Sequence, residues 1–323
     1  MVCAHDEEHN LRELVPMLLA QDHVEFEIII VEDRCNDATH DYMLAATKLD
    51  NRLKMVRVIH KPEHISGKKF ALTLGIKAAK YDWLLLTDAD CRPISNHWIT
   101  SMSAQMGENQ IVLGFSPYLK SEGLLNAFIR FESFLSGIQY MGLAILGWPY
   151  MGVGRNLAYR KSLFLENKGF NSHLGIIGGD DDLFINQHAA RSFTRVCLGK
   201  ESLMISLPKT TWKEYYVQKL RHLSVGKYYK FSDKLILGIF TLTSIFTWLI
   251  ALPYSFFSPF MEWILLALIL RWGLLVFLFH QTSKRLGEPF EAWKAPFLDF
   301  IYAFYYLVTG PMALVSKKVR WKS

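Results

Sequence analysis

Two aspartates one residue apart, Asp88 and Asp90, close the apolar run Trp83-Leu84-Leu85-Leu86-Thr87. The run reads as a buried strand, bounded by Tyr81-Asp82 before it and Cys91-Arg92-Pro93 after it. A strand that ends in two carboxylates aims both at the carboxyl edge of a sheet, where open α/β sheets bind ligands. Carboxylate oxygens are hard donors that suit Mg²⁺ or Mn²⁺, and such ions are commonly shared with substrate phosphates. Asp-x-Asp is also common in solvated turns, so the elements around it decide its meaning.

Glu27-Ile28-Ile29-Ile30-Val31 is a second buried strand, and it ends in Glu32-Asp33. An amphipathic segment, residues 11–19, separates it from Met1-Val2-Cys3-Ala4, which reads as the second half of a strand whose first half is expected upstream. Residues 37–49 are predicted helical, 55–59 alternate as a strand should, and 70–79 are predicted helical. Strands alternating with helices imply an α/β domain with a largely parallel sheet. Acids follow the strands at Asp6-Glu7-Glu8, Glu32-Asp33 and Asp88-Ala89-Asp90. Carboxylates converging from neighbouring strand ends repel one another unless a cation is bound.

The 323 residues suffice for one large α/β domain and an appendage. Hydrophobic residues reach 51% and concentrate after about residue 235, which predicts a soluble front and a membrane-bound back. Much of the net charge of +6 lies in Lys213, Lys219, Arg221, Lys227, Lys230 and Lys234, and in Lys317, Lys318, Arg320 and Lys322. Basic residues beside apolar helices suit an anionic membrane face, and no nucleic-acid motif is present. Cys3, Cys35, Cys91 and Cys197 form no CxxC pair, which argues against a disulfide framework or a zinc site.

Residues 124–146 are long and apolar but interrupted by Arg130 and Glu132, and are expected partly buried or at the membrane surface. Hydrophobic segments follow at about 235–257, 263–279 and 297–315. The turn 253–262 lacks Lys and Arg and fits an outside loop, whereas His280, Lys284, Arg285 and Lys294 fit an inside loop. Three full crossings would put the basic tail outside, so the third segment is expected to be interfacial or re-entrant. Arg271, inside a span, needs a partner: Asp299, Glu262 or an anionic lipid headgroup. Together these features predict a multi-pass protein of a bacterial inner membrane with its first domain in the cytoplasm.

Further motifs give the chain a family likeness. Ala4-His5-Asp6-Glu7-Glu8, Val31-Glu32-Asp33-Arg34-Cys35-Asn36-Asp37 and Gly67-Lys68-Lys69-Phe70-Ala71-Leu72 precede Asp88-Ala89-Asp90. Gly154-Arg155-Asn156-Leu157-Ala158-Tyr159-Arg160, Gly179-Asp180-Asp181-Asp182-Leu183 and Gln218-Lys219-Leu220-Arg221-His222 follow it. In this order and with these gaps, residues 1–225 resemble the family 2 glycosyltransferases, inverting enzymes with a GT-A fold. The expected layout is a Rossmann-like GT-A catalytic domain over 1–225 and a membrane region over 226–323. Two residues depart from the family pattern. Gly179 stands where Glu is usual, which loosens the positioning of Asp180, and His222 replaces a Trp that helps processive synthases hold their acceptor.

The resemblance implies attack by an acceptor hydroxyl on the anomeric carbon of a nucleotide-sugar. The leaving diphosphate gains charge, which Mg²⁺ or Mn²⁺ at Asp90, with Asp88 beside it, would stabilise, helped by Lys68 and Arg221. Motif position makes Asp180 the general base, with Asp181 and Asp182 in competition. Ala4, Glu7 and Asp33 fall to the nucleotide, and a uracil N–H donating to Asp33 favours UDP over GDP. Asn156, Asp181, Asp182, Gln218 and His222 fall on the acceptor side. His5 reads as a packing or nucleotide-stacking residue. The expected acceptor is a glycan or a lipid-linked hydroxyl, with membrane lipids as partners. A processive polysaccharide synthase, a non-catalytic nucleotide-binding membrane regulator and a nucleotidyltransferase are the competing readings.

Overall fold

The computed structural model describes residues 1–315; Lys317, Lys318, Arg320 and Lys322 lie outside the described residues. The chain opens β1 (Val2–Ala4), α1 (Glu8–Leu19), β2 (Ile28–Asp33), α2 (Thr39–Ala46), β3 (Leu53–Val58), α3 (Gly67–Ala78), β4 (Trp83–Asp88). Each element anticipated in this stretch forms, with ends shifted by a few residues. Next come β5 (Cys91–Pro93), α4 (Trp98–Ser103), β6 (Ile111–Leu113) and the long α5 (Leu124–Ile145). Then follow β7 (Leu157–Arg160), α6 (Lys161–Glu166), α7 (Asp182–His188), β8 (Thr194–Val196) and β9 (Met204–Ser206).

Seven strands form one sheet in the order β3-β2-β1-β4-β7-β6-β8. Strand β1 pairs in parallel with β2 on one side and β4 on the other, so the strand order reverses beside it. That reversal opens a crevice at the carboxyl edge, and the register sets Ala4 opposite Glu32 and Cys3 opposite Asp88. β7 runs antiparallel to β4, while β5 and β9 make a separate antiparallel pair beyond the aspartates. The residues of β2 are buried throughout, as a strand covered on both faces must be. Leu11, Leu14, Val15 and Leu18 of α1 pack on Val2, Ala4, Ile28 and Ile30. Helix α3 buries the stripe Ala71, Leu72, Gly75 and Ile76. It lies so near the sheet that a Cβ on Gly75 would stand 2.6 Å from Val31 Cγ2.

These strands belong to one compact unit, Met1–Leu119 with Tyr140–Leu207; Lys120–Gln139 joins the chain from Pro208 in a second. By contacts the chain divides near 207, and part of α5 belongs with the second unit. That unit holds α8 (Trp212–Gly226), α9 (Phe231–Phe246), a π-turn, α10 (Leu252–Ser255), α11 (Met261–Leu286) and α12 (Ala295–Val315). Aromatic packing explains the allegiance of α8: the Phe128 ring meets Trp212 at 5.6 Å, Tyr215 at 6.1 Å and Tyr305 at 5.2 Å.

Arg130, Glu132, Arg271 and Asp299, charges inside these apolar helices, are paired. Arg130 reaches Glu288 at 2.9 Å, and Glu132 takes Lys219 at 2.6 Å and the Tyr306 hydroxyl. Of the partners weighed for Arg271, the structure selects Asp299, at 2.7 Å. Asp299 also accepts from Ser244 Oγ and Trp248 Nε1, each at 2.8 Å. Among the described residues, Phe231–Ser255 and Met261–Leu286 are long and apolar enough to cross a membrane. The third apolar segment is a continuous helix, α12.

The close seat of α3 gives a direct test. Gly75→Ala puts a methyl against Val31 and is expected to cost about 1–3 kcal/mol, as overpacking does. A denaturant midpoint equal to wild type would show that α3 sits farther from the sheet.

Candidate active site

Helix α3 starts at Gly67, so its second residue, Lys68, stands over the carboxyl edge of the sheet. The Lys68 ammonium lies 2.9 Å from Asp88 Oδ1 and 3.0 Å from Asp180 Oδ2. Three residues chosen from sequence are thus brought together from β4, α3 and the loop before α7. Burial pulls the Lys68 amine down, but Asp180, Asp88 and Asp181 outweigh it and hold it well above its ordinary value. It is a permanent cation near neutral pH. The thiol of Cys3 in β1 feels the same neighbourhood: burial pushes it up, Lys68 opposes, and Asp180, Asp88 and Asp33 add to the rise.

The loop carrying Asp180 is held from below. Lys69, fully buried, donates to the carbonyls of His173 at 2.6 Å and Ile176 at 3.0 Å. Burial lowers Lys69 to about 8, against the opposing pull of Asp180, Asp182 and Asp181. Gly178 and Gly179 then turn the chain at φ +81° and +75°. The departure from the family's Glu at 179 has a steric reason, since a Cβ there would stand 2.5 Å from Leu183 Cδ1.

Asp181 is the N-cap of α7. Its Oδ1 accepts from Asp182 N–H at 2.8 Å and its Oδ2 from Gly154 N–H at 2.6 Å. Burial and the neighbouring Asp180 raise its pKa, and Lys68 and the two backbone donors hold the rise in check. Asp182 accepts from the Leu183 N–H at 2.7 Å.

Asn156, expected on the acceptor side, is fully buried. Its Nδ2 donates to the carbonyls of Phe115 and Ser202 at 2.8 and 2.7 Å, and its Oδ1 accepts from Trp98 Nε1 at 3.0 Å. Both amide hydrogens are spent inside the protein, so Asn156 acts by holding its loop. Gln218, Arg221 and His222 stand on α8, in the second unit.

At the nucleotide-side positions, Ala4 ends β1 and its carbonyl faces Cys35 Sγ at 3.5 Å. Glu7 Oε2 accepts from Asn10 Nδ2 at 2.6 Å. Asp33 is gripped by Arg34 through two bonds of 2.7 and 3.0 Å, and its carbonyl meets His5 Nδ1 at 2.6 Å. Arg34 sits at φ +54°, a conformation that favours glycine. Gly67 makes room for this pair, since a Cβ would lie 2.7 Å from Arg34 Nη2.

Asp88 and Asp90 supply two hard oxygen ligands, both part-exposed. That donor set fits Mg²⁺ or Mn²⁺, which are bound by one or two carboxylates and complete their shell with water and substrate phosphates. Among the described residues, the group of three or more ligand-type side chains within 4.8 Å of one another is Asp6, Cys35 and Asp37. That cluster is explained by the backbone: Asp6 Oδ1 accepts from Asn36 N–H and Asp37 Oδ2 from Glu8 N–H.

Sequence reading missed Lys69 and Arg155. Lys69 lies three residues before Leu72 on the buried stripe of α3, where a lysine must find a partner, and that was its signal. Arg155 is a charge set directly before the buried residues 156–159.

The profile of glycosyl transferase family 2 matches residues 1–166. Comparison with curated protein sequences returns no match. Among solved structures, the mannosyltransferase PcManGT from Pyrobaculum calidifontis, in complex with GDP-Man and Mn²⁺, is similar at TM-score 0.61 and 13% identity. That match covers 98% of this chain and 86% of the other. TarS 1–349 from S. aureus is similar at TM-score 0.50 and 16% identity, over 94% of this chain and 87% of its own. The same segment with UDP-GlcNAc gives 0.48 and 15%, over 94% and 88%. The shared fold is GT-A.

Two measurements probe the loop. Gly179→Glu is expected to lower stability by more than about 1 kcal/mol, from the left-handed backbone alone, with no gain in turnover; a stable, faster variant would refute this account of Gly179. Between pH 8 and the usual lysine value of 10.5, the unfolded chain binds more protons at Lys69 than the native one. Wild type should therefore gain stability over Lys69→Met as pH rises through that window. Parallel pH–stability curves would count against a Lys69 lowered by burial.

Proposed function

The chain belongs to glycosyl transferase family 2, and from that premise we propose a membrane-anchored, metal-dependent inverting glycosyltransferase. It moves a sugar from a nucleotide-sugar, with UDP favoured, to a hydroxyl of a glycan or lipid-linked acceptor. The observation that carries this reading is the Lys68 ammonium between Asp88 and Asp180. A carboxylate suited to take a proton and one suited to a metal stand on either side of one fixed cation.

Asp180 accepts the proton of the acceptor hydroxyl as the oxygen attacks the anomeric carbon. Lys68 keeps positive charge at the point where charge builds on the leaving diphosphate. Asp90 and Asp88 would hold Mg²⁺ or Mn²⁺, whose chemistry when bound is to neutralise that diphosphate. Lys69, Asp181 and Gly154 fix the loop so that Asp180 need not reorganise during the reaction. Anchoring is supported by the two long apolar helices and by the basic residues of α8 just before them. His222, in place of a Trp, favours a single transfer over processive synthesis.

Membranes bearing the full chain, supplied with UDP- and GDP-sugars and with Mn²⁺, Mg²⁺ or EDTA, provide the test. Nucleotide release is expected to require metal, to vanish in Asp90→Asn, and to fall about 10²–10⁴-fold in Asp180→Asn. Equal release from wild type and both variants would sink the proposal. Product length then separates one added sugar from a ladder.

A further inference from the structure

Among the described residues, no carboxylate pairs with Arg155. It precedes Asn156, locked in the core, and follows Gly154, whose N–H holds Asp181. Its guanidinium lies over the Tyr118 ring, 4.4 Å from the centroid. Among the described residues it makes no hydrogen bond and no ion pair, and its Nη1 is buried with no acceptor. Tyr118 bridges Ser206, which pairs with Cys91 of β5, so the guanidinium stands near the turn that closes β4 and feels Asp88 and Asp90.

Physical chemistry makes this arrangement incomplete. A guanidinium cannot shed its proton and carries five donors. Burying such a group without acceptors is costly, and native proteins satisfy nearly all buried donors. The missing partner must carry several acceptor atoms and negative charge. It must also tolerate two neighbouring carboxylates, which favours an anion that arrives with its own cation. A phosphoryl group meets these conditions, and guanidinium is matched to it in shape and charge.

We propose that Arg155 is a phosphoryl-binding residue of this site, receiving oxygens of the donor's diphosphate beside the Asp88–Asp90 turn. The proposal rests on the reading of that turn as the diphosphate site. Arg155 then supplies a fixed charge on the side of the turn next to β5 and Tyr118. The Tyr118 ring keeps the guanidinium plane oriented before the ligand arrives.

Calorimetric titration of the full chain in detergent, with Mn²⁺, uses UDP, GDP, inorganic pyrophosphate, uridine and guanosine as probes. Arg155→Met is expected to weaken the nucleoside diphosphates and pyrophosphate about tenfold or more, and to leave the nucleosides unchanged. Arg155→Lys should recover part of the loss, because an ammonium keeps the charge without the fork. Arg155→Met should melt at or above the wild-type temperature, since it removes an unsatisfied buried charge. A purely structural arginine would give a lower melting temperature and unchanged affinities, which would overturn the proposal. Unchanged diphosphate binding with lost binding of dihexanoyl phosphatidic acid, titrated in the same way, would place Arg155 at a different phosphoryl group and overturn the proposal. Wild-type affinity of Arg155→Met for every probe would refute this inference alone. No diphosphate binding by the wild type would instead overturn the reading of the turn, and this inference with it.

Discussion

Carboxylates drawn to one sheet edge repel each other, and a fixed cation is what lets them stay. Here that cation is Lys68, held at 2.9 and 3.0 Å by Asp88 and Asp180. Its position is set by how α3 rests on the sheet. Gly75 lets the helix approach Val31, and Gly67 lets its first turn pass over the Arg34–Asp33 pair. A helix lifted by one methyl group would carry the ammonium out of contact with at least one acid. Packing far from the edge therefore governs the electrostatics at the edge.

The loop that brings Asp180 to Lys68 contains little regular structure, so its order must come from side chains. Lys69 supplies it from inside α3, by donating to the carbonyls of His173 and Ile176. Two glycines at positive φ allow the reversal, and Asp181 closes it by capping α7 and binding Gly154. Neighbouring lysines on one helix thus do different jobs: Lys68 meets charge and Lys69 meets backbone. A site with both is rigid where an acid must be aimed, which is the condition for efficient proton transfer.

The strand–helix alternation was legible because each strand is a short apolar run and each helix has its own period. Asp88, Asp180 and Lys68 could be picked out because their motifs sit at the ends of those elements. Asn156 shows where such reading stops. Its partners Trp98, Phe115 and Ser202 are 58, 41 and 46 residues away in sequence, and nothing local announces them. The same holds for the first part of α5: its allegiance to the second unit depends on Trp212, Tyr215 and Tyr305, far along the chain. The double grip of Arg34 on Asp33 likewise appears only with the backbone turn.

In the second unit the same electrostatic rule acts in apolar surroundings. Charges on long apolar helices are costly unless neutralised nearby. Arg130 has Glu288, Glu132 has Lys219 and Tyr306, and Arg271 has Asp299 with Ser244 and Trp248. Hydrophobic faces alone would allow neighbouring helices to slide by a turn. A slide of one turn, about 5.4 Å, would leave each of these charges without its acceptor. The pairs therefore fix register more than they add stability, which is the best-attested use of buried ionic groups. Through Lys219, this constraint reaches the helix that carries Gln218, Arg221 and His222.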